Sequence, residues 1–282
     1  MPCSNPTAEA QRPAVPLSGK LLYHLMPVRR GVVMSNLHRV FGATMPESEI
    51  VALAQAFYGH LFRSAIEYLR YTNLSVAKRS ALVRVENKTV VLRAFERGKG
   101  VLFLAGHLGN WEIGCISGIM NFPELKDRLH VVRRPLVPRV LDRIVARRFR
   151  NAGLGVIPKY DAMQTILSLL AANRAVGFVM DQHAASREGV RVQFLGAAAW
   201  TFRSLAAVAR RSGAPVLPVA TWREPDGSHV LRFEDPLDFI ECDDLAETIR
   251  VNTQRYNNAL ERMILRHPEQ RLWMHRRWKH AD

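Results

Sequence analysis

Twelve consecutive residues, Val101-Leu-Phe-Leu-Ala-Gly106-His107-Leu-Gly109-Asn110-Trp111-Glu112, carry the side chains with most chemical promise across a change of local structure. Four apolar residues read as a short buried strand, Gly106 breaks the run, and Gly109 to Met120 reads as the opening of a helix. Glu112 then lies about one helical turn beyond His107. A carboxylate there can hydrogen-bond one imidazole nitrogen and leave the other facing a pocket. A histidine held in that way suits the deprotonation of an alcohol. The helix N-terminus disfavours imidazolium and Glu112 favours it, a balance that keeps His107 neutral at rest yet able to accept a proton. A lone histidine is more often structural than catalytic; the carboxylate, the two glycines and the strand-to-helix position favour a functional site.

Other chemistries lack their residues. There is no Gly-x-Ser-x-Gly elbow, no His-Glu-x-x-His, no paired cysteine motif and no Walker loop, and Gly106-x-x-Gly109 lacks dinucleotide spacing. No metal site is therefore expected. Cys3, Cys115 and Cys242 are far apart, which suits a reducing compartment, and Cys115 reads as a small buried hydrophobe.

A second apolar run, Ala175 to Met180, ends in Asp181-Gln182-His183, the same layout as at His107. In open α/β sheets ligands bind at the carboxyl ends of strands, so the two tips should line one edge. Leu129-His-Val-Val-Arg133-Arg134-Pro135 also runs from apolar to charged. Arg134, beside a backbone fixed by Pro135, is the better anion contact of the pair. The helix expected over Pro138 to Asn151 carries Arg139, Arg143, Arg147 and Arg150 at intervals of four, four and three, with Val137, Leu141, Ile144, Val145 and Phe149 opposite. Like charges so spaced repel unless an anionic surface neutralises them. The stripe reads as a docking face for acidic protein or lipid, or else as a solvated face.

These side chains need a frame. The 282 residues are 48% hydrophobic, enough for a large core. Residues 1–16, with four prolines, read as a flexible tail and 17–282 as one domain. Within it, 17–41 mixes Leu21, Leu22, Leu25 and Met26 with Lys20, Arg29 and Arg30, a composition suited to a membrane interface or to an ordinary packed helix. No apolar run reaches the ~18 residues needed to span a bilayer. Pro46 introduces a long helix with a stripe of Ile50, Leu53, Phe57, Leu61 and Leu69. Residues 184–200 read as loop, Thr201 as the start of a helix, and Val216 to Phe233 as an antiparallel hairpin at the sheet edge. The end, Trp273-Met-His-Arg-Arg-Trp-Lys279, suits an anionic interface or a clamp over the site. Strands alternating with helix-length gaps predict an α/β fold, a central mainly parallel sheet with helices on both faces. The formal charge of +15 favours an anionic partner. No nucleic acid is expected, because no recognised nucleic-acid module accompanies that charge.

Gly106-His107-Leu-Gly109-Asn110-Trp111-Glu112 is similar to the His-x4-Asp/Glu signature of glycerolipid acyltransferases, in the form of the bacterial lipid A biosynthesis (lauroyl and myristoyl) acyltransferases. Asn36-Leu, Arg134-Pro135, Asp181-Gln182, Phe194-Leu-Gly196 with Thr201, Ala214-Pro-Val-Leu-Pro-Val and the Trp273–Lys279 ending resemble that family in the same order, from about residue 20 onward. The resemblance implies transfer of a fatty acyl chain, without an acyl-enzyme, to a hydroxyl of a membrane glycolipid, foremost a lipid A precursor. The donor would be an acyl carrier protein or coenzyme A thioester, used as co-substrate with no bound cofactor. His107 would be the base and Glu112 its orienter. Gly109, Asn110, Arg134, Asp181 and Gln182 would serve substrate binding, with Arg134 or backbone N–H groups meeting the oxyanion. Acidic acyl carrier protein or an anionic membrane surface would dock on the arginine stripe. Enterobacterial members usually begin with a hydrophobic membrane anchor, where this sequence offers the short 17–41 segment, so peripheral attachment at the cytoplasmic face of the inner membrane is expected. Related proteins acylate phosphatidylinositol mannosides or lysophospholipids. Composition alone also allows a noncatalytic basic protein that binds membranes or nucleic acid.

Overall fold

The computed structural model describes residues 14–25, 28–133, 139–159 and 162–279. Helices α1 (Leu17–Leu25), α2 (Arg30–Phe41), α3 (Glu47–Tyr71) and α4 (Val76–Ala81) come first. There follow β1 (Val83–Glu86), α5 (Lys88–Glu96), β2 (Val101–Ala105), α6 (Trp111–Met120), β3 (Leu129–Arg133), α7 (Arg139–Asn151), β4 (Gly155–Pro158), α8 (Ala162–Ala171) and β5 (Ala175–Val179). The chain closes with β6 (Gly189–Phe194), β7 (Ala197–Phe202), α9 (Ser204–Ser212), β8 (Val216–Arg223), β9 (His229–Phe233) and α10 (Leu245–Arg266).

Seven strands form the main sheet in the order β1-β9-β8-β2-β5-β3-β4, and only the β8–β9 pair is antiparallel. The α/β expectation therefore holds. Alternation along β2 explains its unbroken apolar run: Leu102 and Leu104 enter one core cluster, with α3, α8, α9 and α10, while Val101 and Phe103 enter another on the opposite face, with α5 and α6. The stripe of α3 buries Ile50, Leu53 and Phe57, but Leu69, near its end, is exposed.

Four local expectations are corrected. Residues 189–202 form the two-stranded β6–β7 hairpin, not loop, because Val190, Val192 and Phe194 alternate with polar neighbours. Leu195 and Gly196, both at positive φ, make its two-residue turn. Thr201 consequently lies within β7, which ends at Phe202, and the helix starts at Ser204. The β8–β9 hairpin is not at the edge, since β1 pairs parallel outside β9. The aromatic ending is not a wet interface, for Trp273, Arg277 and Trp278 are buried, with Arg277 donating to the Trp200 carbonyl and the Thr201 hydroxyl, while His275 lines the cavity at His107.

Candidate active site

The register of β2 on β5 builds the site. Ala105 pairs with Val179, so His107 and Asp181, each two residues further on, come to rest side by side. Asp181 Oδ1 lies 2.7 Å from His107 Nδ1, and its Oδ2 accepts the His107 backbone N–H at 3.0 Å. With Nδ1–H donating to Asp181, Nε2 carries the lone pair. Gln182 Nε2 lies 3.4 Å from that atom, and the Trp111 ring stands edge-on to the imidazole at 4.9 Å. Behind the histidine, its carbonyl accepts the Leu272 N–H at 3.0 Å, and Leu108 bridges Arg271.

Burial alone would lower the affinity of His107 for a proton, but the charge and bond of Asp181 outweigh it and the pKa lies above the usual 6.5. Burial works against ionised Asp181, 3% exposed, yet His107 and Arg271 hold its carboxyl well below the usual range. The result is a histidine of fixed tautomer whose protonated form is favoured by the charged partner beneath it.

Glu112 does not orient His107. The helix begins at Trp111 rather than Gly109, which places the Glu112 side chain beside the Tyr68 hydroxyl and near Arg148, while Asp181 already occupies Nδ1. Burial raises the Glu112 pKa, opposed by Tyr68, Arg148, Arg133 and His107. Its effect on the imidazole is through-space charge.

Gly109 and Asn110 serve the turn and not the cavity at His107. Gly109 has φ +62°, donates its N–H to the Gln270 carbonyl, and passes so close to β8 that a Cβ would stand 2.4 Å from the Thr221 carbonyl oxygen. Asn110 donates to Glu67 at 3.1 Å and turns into a buried network of Glu67, Arg223, His60 and Ser64. Arg134 lies outside the described residues. Its neighbour Arg133 lines the cavity at His107 and donates to Asp142 at 2.6 Å. On α7, Arg139, Arg143, Arg147 and Arg150 are all exposed. The opposite side is not uniformly apolar and buried: Val145 and Phe149 face the cavity, whereas Ile144 is 46% exposed. Val137 and the Leu141 side chain fall outside the description.

A cavity of about 1150 Å³ opens at His107. Much of its wall is hydrocarbon: Phe103, Ala105, Val131 and Val179 from the sheet, Cys115 and Ile119 from α6, and Phe149 from α7. Gln182, His183, Lys159 and Arg187 also line it. The volume exceeds the roughly 300–1,000 Å³ common for small-molecule sites. Burial pushes the Cys115 thiol up to about 12, which keeps it protonated and unreactive.

Among the described residues, no three His, Cys, Asp or Glu side chains are grouped as metal ligands, and no helix is long and apolar enough to cross a membrane. A sequence profile described as "Bacterial lipid A biosynthesis acyltransferase" matches residues 8–280. The chain is also similar to a phosphatidylinositol mannoside acyltransferase of Mycolicibacterium smegmatis (strain ATCC 700084 / mc(2)155), with 24% identity over 199 residues. That alignment spans 68% of this chain and 62% of the relative, under two thirds of the relative's own length.

Proposed function

We propose that this chain, which belongs to the bacterial lipid A biosynthesis acyltransferase family, moves a fatty acyl group from a thioester to a hydroxyl of a membrane glycolipid, with His107 as general base. The observation that carries the reading is the pairing of a large hydrocarbon-walled cavity with an imidazole whose Nδ1 is fixed by Asp181 and whose Nε2 faces that cavity. A basic protein that merely binds polyanions has no use for either.

In the proposed reaction the acyl chain lies in the apolar part of the cavity and its thioester carbonyl comes to Nε2. His107 takes the hydroxyl proton as the oxygen attacks the carbonyl carbon. The tetrahedral oxyanion is met by preorganised donors, for which the Gln182 amide and Arg133, both lining the cavity, and Arg134 are the candidates. Collapse re-forms the carbonyl and breaks the C–S bond. The imidazolium returns its proton to the thiolate, giving ester and free thiol. Asp181 stabilises the imidazolium that forms between the two transfers, and Glu112 adds negative charge nearby.

The acceptor is a glycolipid, a lipid A precursor or one resembling a phosphatidylinositol mannoside, and the donor thioester is on acyl carrier protein or coenzyme A. Leu17, Leu21 and Leu25 of α1 are exposed beside Lys20, which suits peripheral attachment at the cytoplasmic face of the inner membrane. The test is transfer of labelled acyl chain from each donor to a membrane lipid extract. The protein should transfer, and His107→Ala should lose transfer with its fold intact; full activity in that variant rejects the base.

A further inference from the structure

The sheet floor of the cavity is built in rows. Register places Phe103, Gly177 and Val131 abreast on β2, β5 and β3, with Ala105 and Val179 in the row toward His107 and Val101, Ala175 and Leu129 in the row away from it. Residues two apart on a strand share a face, so these rows look the same way. The first two rows line the cavity. In the third, Leu129 still lines it, but Val101 and Ala175 are fully buried in the core and the floor stops. Along the roof, Trp111, Cys115 and Ile119 recur every four residues on α6, and Leu125 lies beyond them at the same end as Leu129.

Gly177 sits in the last open row. No close approach explains its missing side chain: a Cβ there would meet only Val131 Cγ1 at 3.7 Å and the His130 oxygen at 3.8 Å, both ordinary contacts. Backbone does not explain it either, for its φ is outside the left-handed region. What a side chain at 177 would occupy is the cavity itself.

We infer that Gly177 sets the acyl-chain length this protein accepts, by leaving the row between Phe103 and Val131 open to hydrocarbon, with Ile119, Leu125 and Leu129 as the end wall. The inference rests on the reading that the cavity holds the acyl chain. Four residue steps from Ala105 to Val101 measure about 13 Å at roughly 3.3 Å per residue.

The experiment offers the full-length protein an equimolar series of saturated acyl thioesters, octanoyl to palmitoyl, with a membrane lipid extract, and reads the product distribution by mass spectrometry. Gly177→Val should move the optimum to shorter chains, with about a fourfold loss for each methylene it excludes. Ile119→Ala should move it the other way. An active wild-type protein whose distribution neither variant changes overturns the inference alone; a wild-type protein that transfers from no thioester overturns the acyltransferase reading and the inference with it. A second measurement does not depend on the Gly177 variant folding. Free fatty acids of graded length should shield a cysteine placed by Val179→Cys, in the row beside His107, from a thiol reagent at lengths too short to shield one placed by Ile119→Cys, each site resolved by peptide mass. Equal length dependence at the two sites overturns the ruler.

Discussion

Arg223 grips Glu67 with two nitrogens, Nε to Oε1 at 2.7 Å and Nη2 to Oε2 at 2.6 Å, directly behind the turn that carries His107. The pair ties α3 to the end of β8, and Asn110 and the His229 ring add to it from two more elements. Burial disfavours the Glu67 charge, but His229, Arg223 and Asn110 bring its pKa down to about 2. His60, accepting from Arg223 at 2.7 Å, is buried and next to that cation, which pushes it down to about 3.

Both shifts make stability fall in acid. A depressed carboxylate contributes above its unfolded pKa of 4.5 and loses that contribution as pH falls toward 2; a histidine held neutral contributes above 6.5 and loses it toward 3. The urea midpoint should therefore decline steadily from about pH 6.5 downward, not only below 4. Glu67→Ala leaves Arg223 buried without its partner. Because the Glu67 side chain keeps 23% exposure, the loss should sit at the low end of the ~3–5 kcal/mol typical of such breaks, measured by urea unfolding at pH 7.

Asp181→Asn removes the charge under His107 while keeping its shape. Transfer should fall by about 10²–10⁴-fold. The acidic limb of the pH–rate profile should also move. On the proposed mechanism His107 acts as a base only when neutral, so the rate should rise through its pKa, which in the wild-type protein lies above 6.5 because of Asp181. Without that charge the limb should move to lower pH, whereas Glu112→Gln should move it only slightly. A limb displaced more by Glu112→Gln than by Asp181→Asn would make Glu112 the orienter after all.

That the strand tips at His107 and Asp181 line one edge was legible, because an apolar run that ends in polar residues marks the carboxyl edge of a buried strand. Which carboxylate would reach His107 was not. Glu112 is close in sequence, but Asp181 is close in space, and only the β2–β5 register decides that. Sequence separation hid the Glu67–Arg223 network for the same reason. The β6–β7 hairpin was obscured by its second strand, which opens with three alanines, and the regular alternation of Val190, Val192 and Phe194 reads as half of a hairpin only once Leu195-Gly196 is seen as a turn. The arginine stripe of α7 was readable from spacing alone, but the exposure of Ile144 depends on how the helix is rolled against the cavity.

Arg271 tests the electrostatics from the opposite side. Its guanidinium is fully buried among Phe194, Trp273 and Trp278, at 5.5, 4.4 and 5.6 Å from the ring centres, and none of its three side-chain nitrogens makes a protein hydrogen bond. Burial brings its pKa down to about 10, so it remains charged at neutral pH, and that charge lowers the proton affinity of His107 and Asp181. Arg277 and His275 are the other basic groups facing it. Arg271→Met fills similar volume without the charge. The acidic limb should then move to higher pH, opposite in sign to Asp181→Asn, with near-UV circular dichroism unchanged. A limb that stays in place shows that the cation is only packing.

The stripe on α7 makes the last prediction. Arg139, Arg143 and Arg147 are exposed on the same helix as Val140 and Ile144, 57% and 46% exposed, so this surface offers both cations and aliphatic groups. An anionic bilayer satisfies both at once, the head groups neutralising the repelling arginines while the apolar side chains leave water. Each arginine near such a surface contributes on the order of 1 kcal/mol. Replacing all three by Gln should therefore weaken binding to vesicles rich in anionic lipid by about a hundredfold at low salt and leave binding to neutral vesicles unchanged. Leu21→Asp with Leu25→Asp on α1 should weaken both kinds of binding, because that contribution is apolar. If the triple Gln variant instead binds vesicles normally but loses transfer only from carrier-protein thioester and not from coenzyme A thioester, the stripe docks the acidic carrier.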